Sequence, residues 1–122
     1  MNEKINIALK IINEINSFDD KYMPKIGGSL ALYYYGIVNN VNDIDIIVND
    51  IDGINLPYNK IPLGHSKRLN KTISYDVNGV KVDIIESLMP RKYNGNFEDV
   101  DNILYSKKII KRFINLVYNK GD

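Results

Sequence analysis

Three aspartates and a glycine pair carry the chemistry this sequence offers. Asp43 and Asp45 are separated by one isoleucine in Asp43-Ile44-Asp45-Ile46-Ile47-Val48. Successive side chains of a β-strand point to opposite faces, so both carboxylates aim the same way, close enough to share a hard cation. Two carboxylates side by side repel unless a cation or a basic side chain neutralises them. A solvent-facing strand edge that happens to hold two acids is the plainer alternative. Asp83 lies inside Val80-Lys81-Val82-Asp83-Ile84-Ile85, a β-branched strand that disfavours an aspartate unless something uses it. An ion pair with Lys81 or another basic neighbour on the same face would be its structural explanation. Gly27-Gly28-Ser29 opens a helix. Glycine lets backbone approach a ligand closely, and first-turn N–H groups favour an anion such as phosphate. Taken alone, the same tripeptide more often reads as a turn with Ser29 as helix cap.

The elements that must position these groups follow from periodicity. Ile5, Ala8, Leu9, Ile12 and Ile15 recur at three- and four-residue spacing, which predicts an amphipathic helix over roughly residues 3–16 with Asn2 as its N-cap. Pro24-Lys25-Ile26 is short and extended and runs into the glycines. A helix from Leu30 to Tyr35 follows and ends at Gly36, a natural residue for a left-handed helix stop. In the strand 43–48 the carboxylates and Ile47 share one face, while Ile44, Ile46 and Val48 share the other. Residues 49–71, with Gly53, Pro57, Pro62 and Gly64, predict an irregular connection. Thr72–Val77 and Val80–Ile85 flank Asn78-Gly79, the strongest short hairpin signal available. Pro90 stops that element, and residues 97–118 read as a helix with Val100, Ile103, Ile110, Phe113 and Val117 inward. The expected fold class is α/β (α+β), a small mixed β-sheet covered by helices, with residues 1–122 forming one domain.

Composition narrows the setting. A chain of 122 residues has little room for a second domain. Its 44% hydrophobic and 25% charged fractions are those of a globular protein, and a net charge of +1 advertises neither nucleic acid nor an acidic membrane. There is no cysteine, hence no disulfide and no thiolate metal site. Glu3, Lys4, Lys10 and Glu14 interrupt the N-terminal apolar pattern, which excludes a signal peptide, and no stretch approaches the ~20 apolar residues of a membrane helix. A cytoplasmic protein with no membrane partner is the expectation.

Taken together, the motifs resemble the nucleotidyltransferase superfamily that includes DNA polymerase β, antibiotic nucleotidyltransferases and minimal antitoxin-type transferases. The family pattern is matched by Ile26-Gly27-Gly28-Ser29, by Asp43-Ile44-Asp45-Ile46 after a spacer of family length, and by Val82-Asp83-Ile84. The match runs from about Ile26 to Ile85. The resemblance implies a minimal single-domain nucleotidyltransferase fold. It further implies that Gly27, Gly28 and Ser29 hold the phosphates of a nucleoside triphosphate such as ATP. Asp43, Asp45 and Asp83 would be the catalytic residues and metal ligands for two Mg2+ ions, with Mn2+ as a substitute, and Asp83 would help activate an acceptor hydroxyl. The implied reaction transfers a nucleoside monophosphate to a small molecule, a tRNA end or a protein and releases pyrophosphate. Val41 and Asn42 depart from the Arg or Ser/Thr that many relatives carry before the first acid. The larger members add a helical domain, so a homodimer or a partner protein would complete the site here. The alternative is a non-catalytic module of the same fold, such as an antitoxin-like subunit.

Other residues read as structural. His65, the one histidine, sits with Lys67 and Arg68 in a loop between the acidic motifs. Tyr33, Tyr34 and Tyr35 fit core packing with one exposed ring. Lys107, Lys108, Lys111 and Arg112 form a basic stripe on the final helix, a solvated face or an RNA-facing patch. Asn49-Asp50-Ile51-Asp52-Gly53 lacks the first and last ligands of a calcium loop, with Val48 and Asn59 in those places.

Overall fold

The computed structural model describes residues 2–34, 36, 38–62 and 71–87. Its elements run α1 (Asn2–Phe18), β1 (Lys25–Gly27), α2 (Gly28–Tyr34), β2 (Ile44–Val48), β3 (Asn59–Ile61), β4 (Thr72–Val77) and β5 (Val80–Glu86), with a single 3₁₀ turn at Asp20–Tyr22. The strands form one five-stranded mixed sheet in the order β1-β2-β5-β4-β3. Only β2 and β5 are parallel; the other three pairs are antiparallel. The architecture is therefore a small α+β domain.

Amphipathic pattern sets the layers. On α1, Ile7, Ala8, Ile11, Ile12 and Ile15 are buried, with Ile5 and Leu9 partly buried beside them. The apolar stripe is thus wider than spacing alone predicts and gains Ile7 and Ile11. Because α1 already includes Asn2, that residue is not its cap. Ile44, Ile46 and Val48 of β2, Val82 and Ile84 of β5, and Tyr75 and Val77 of β4 join the same cluster with Leu30, Ala31 and Leu32 of α2. Burial on β2 alternates strictly, as the sequence predicts. Lys4 Nζ donates to the carbonyl of Val41, tying the first turn of α1 to the approach to β2.

The hairpin forms in the expected register, with Val77 opposite Val80. Asn78 (φ 52°) and Gly79 (φ 82°) both adopt the left-handed conformation that a tight two-residue turn requires. Residues 49–71 are not wholly irregular, because β3 lies within them. Asn59 and Lys60 carry weak strand propensity, and the three-residue strand lies at the sheet edge between Pro57 and Pro62, so no side-chain pattern announced it. The same connection is pinned by Tyr22, whose hydroxyl donates to the Asp52 carbonyl at 2.9 Å, and by Tyr75, whose hydroxyl accepts from Leu56 N at 3.2 Å. Asp50 accepts from Asp52 N at 2.9 Å, closing a local turn in place of a calcium loop. Among the described residues no helix is long and apolar enough to cross a membrane.

Candidate functional site

One lateral row of the sheet collects the chemistry. Gly27 of β1 pairs with Asp45 of β2, Asp45 with Asp83 of β5, and Asp83 with Ser74 of β4. Paired residues on neighbouring strands project to the same face, roughly 5 Å apart. Three motifs far apart in sequence therefore meet because β2 and β5 run parallel with Asp45 and Asp83 in register. Had the register slipped by one residue, Asp83 would face the α1 side and Ile84 the acids.

Gly28 follows Gly27 at the start of α2, in the left-handed conformation (φ 56°). A Cβ placed there would stand 2.0 Å from Asp45 Oδ2 and 2.9 Å from Asp45 Cγ. The glycine is needed, then, because the Asp45 carboxylate fills the space a side chain would take. Ser29 lies inside the first turn of α2, half-buried, and does not cap it. Asp43 sits half-buried in the bend before β2, two residues ahead of Asp45.

Asp83 is 1% exposed, as is Ser74. Ser74 Oγ donates to Asp83 Oδ1 at 2.5 Å, a short hydrogen bond. Ser74 was missed in the sequence, although a signal was there. The Asn78-Gly79 turn sets Val77 against Val80, and three steps back along each arm bring Ser74 opposite Asp83.

Lys25 was missed as well. It pairs with Ile47 and so lies on the face of Asp45 and Asp83, one strand repeat (roughly 7 Å) from the acid row. It is 2% exposed. A lysine is almost never fully buried unless paired, and Asp45 and Asp83 are the acids of its own sheet face. Nothing in Pro24-Lys25-Ile26 announced this, because the role depends on the β1–β2 register.

Among the described residues, no three acidic or imidazole side chains converge into a ready-made metal cage. The donor set nonetheless fits a hard divalent cation: Mg2+ is usually held by one or two carboxylates together with substrate phosphates. Asp45 and Asp83, adjacent on one face, are such a pair. Of the three tyrosines on α2, Tyr33 is half-buried against the core and Tyr34 is 40% exposed. Tyr35, His65, Lys67, Arg68, Pro90, the helix expected at 97–118 and the basic stripe Lys107, Lys108, Lys111 and Arg112 lie outside the described residues. Compared with family models, characterised proteins and solved structures, the chain matches none of them.

Proposed function

We propose that this chain is a minimal metal-dependent nucleotidyltransferase of the DNA polymerase β-like type. It would move a nucleoside monophosphate from a triphosphate such as ATP to an acceptor hydroxyl. The observation that carries the proposal is the row Gly27–Asp45–Asp83, in which a Gly-Gly turn and two acids of separate motifs become lateral neighbours on one sheet face.

In this reading Asp43, Asp45 and Asp83 hold Mg2+ or Mn2+, which when bound neutralises the triphosphate and the charge that develops on the attacking and leaving oxygens. The acceptor oxygen forms a bond to the α-phosphorus while the bond to pyrophosphate breaks. Asp83, steadied by Ser74, orients the acceptor hydroxyl and accepts its hydrogen bond. Gly27, Gly28 and Ser29 line the approach of the phosphates, and Lys25 keeps the acids from repelling one another before the nucleotide arrives. The acceptor is a small molecule, a tRNA end or a protein, and a second copy or a partner protein completes its binding surface.

A second reading, a non-catalytic module of the same fold, is favoured by one observation: at 1% exposure Asp83 has little surface to offer an acceptor. Incubation with Mg2+ and nucleoside triphosphates labelled at the α-phosphorus, against pooled small molecules, tRNA and the chain itself, separates the two. Label transfer with pyrophosphate release, lost in Asp45→Asn, supports the enzyme. Triphosphate binding without transfer to any acceptor class supports the module.

A further inference from the structure

Among the described residues Lys81 stands on the acid face without a partner. Alternation along β5 puts Lys81, Asp83 and Ile85 on one side of the sheet, and Lys81 is half-buried there. The ion pair between Lys81 and Asp83 that the sequence allowed is not formed. Asp83 is met by the Ser74 hydroxyl, and among the described residues no hydrogen bond or ion pair engages Lys81. Asp76, its Cα partner on β4, accepts instead from Gly79 N at 2.8 Å within the hairpin turn. Lys25, the other lysine that strand pairing puts on this face, is only 2% exposed, so of the two it is Lys81 that an incoming anion can reach.

Position along the strands gives that anion a class. Ile44 pairs with Val82 and Asp45 with Asp83, so Lys81 lies one strand repeat, roughly 7 Å, from Asp83 toward the end of the sheet where Asp43 leads into β2. β1 runs antiparallel to β2, with Lys25 opposite Ile47 and Gly27 opposite Asp45. The chain leaving Gly27 into Gly28 and Ser29 therefore heads to that same end. At the other end the face turns apolar, with Ile47 and Ile85 as Cα partners. An anion held at the acids and at Lys81 must be long and multiply charged. A polyphosphate chain is both, and lysine binds phosphate as a point charge.

We infer that Lys81 is a specificity-determining residue that grips the terminal phosphates of a nucleoside triphosphate and makes the site prefer triphosphates to monophosphates. The inference rests on the nucleotidyltransferase reading above and deepens it by naming the residue that tells the two apart. Lys81 holds the part of the substrate that departs as pyrophosphate and takes no part in activating the acceptor.

The test is calorimetric titration of the full chain, in Mg2+, with the monophosphates and non-hydrolysable triphosphates of adenosine, guanosine, cytidine and uridine. The wild type is expected to prefer the triphosphate of whichever nucleoside it binds. Lys81→Gln removes the charge and is expected to lower triphosphate affinity roughly tenfold, about the effect of losing one hydrogen bond to a charged group, with monophosphate affinity unchanged. Lys81→Arg keeps the charge and is expected to keep the preference. Lysine acetylation read by mass spectrometry needs no variant, and so serves even if Lys81→Gln fails to fold. It is expected to mark Lys81 in the free chain and to spare it when triphosphate, but not monophosphate, is bound. A folded Lys81→Gln that keeps the wild-type preference or weakens both nucleotides equally would overturn the inference, as would acetylation of Lys81 that ignores the triphosphate. Either result leaves triphosphate binding itself in place. A wild type that binds no triphosphate is a different failure: it removes the nucleotidyltransferase reading, and this inference with it.

Discussion

Asp45 Oδ2 stands 2.0 Å from the position a Cβ would occupy on Gly28. The first residue of α2 and the middle acid of the candidate site therefore compete for one volume, and glycine resolves the competition. Gly79 is a natural comparison: it too has positive φ (82°), but a Cβ there meets nothing within 4 Å.

Gly28→Ala and Gly79→Ala should accordingly differ. Both pay the left-handed backbone penalty of about 1–2 kcal/mol. Gly28→Ala must in addition displace the Asp45 carboxylate, so it should destabilise by more and also weaken Mn2+ binding, while Gly79→Ala leaves binding intact. Chemical denaturation and Mn2+ titration of the pair check this. Equal stability losses with unchanged binding would remove the Gly28–Asp45 contact from the account.

Lys25→Met should unmask the acids. Its removal takes a positive charge from the sheet face that holds Asp45 and the buried Asp83, which is expected to lower stability at low salt. The same change makes the face more negative, so divalent cations should bind more tightly and restore the lost stability in proportion to their occupancy. Thermal melts with and without Mg2+ read both effects. A variant as stable as wild type whose melting point ignores Mg2+ would show that Lys25 has no electrostatic part in the site.

Tyr58 gives the fold a signature at alkaline pH. Burial, the hydrogen bond to Glu14 Oε1 at 2.6 Å and the charge of Glu14 together push its hydroxyl up from 10.0 to about 12. Each cause favours the neutral phenol in the folded state. A raised folded value means the contribution to stability is fully present below pH 10, fades as pH rises between 10 and 12, and is lost above. Glu14→Gln removes the charge and should bring the Tyr58 titration back toward the ordinary value. Ultraviolet titration of tyrosinate, with Tyr58→Phe identifying the signal, checks the shift; an unmoved late titration in Glu14→Gln would contradict it.

How far the sequence carried these conclusions varies by element. The acid strand and the hairpin were legible because alternation and Asn78-Gly79 are local signals; the hairpin stands where it was expected, while the acid strand begins one residue late, at Ile44, and leaves Asp43 in the bend before it. The edge strand β3 was not, since Asn59, Lys60 and Ile61 bury little and owe their conformation to the backbone of β4. Pairing of Asp45 with Asp83 was expected only through the resemblance. Physically it depends on a parallel β2–β5 contact between segments almost forty residues apart, which no local pattern encodes. Ser74 could have been found by counting back from the turn. Lys25 and the Gly28–Asp45 contact needed coordinates, because each depends on how two elements approach.

The central claim is that Asp43, Asp45 and Asp83 form one metal and triphosphate site. Its most direct test is calorimetric binding of non-hydrolysable nucleoside triphosphates, with and without Mg2+, to the wild type and to an Asp43→Ala/Asp45→Ala variant of verified fold. The account predicts binding that requires Mg2+ in the wild type and vanishes in the variant. Metal-independent binding that survives the double substitution, or unfolding of the variant, would contradict it and make the two acids structural.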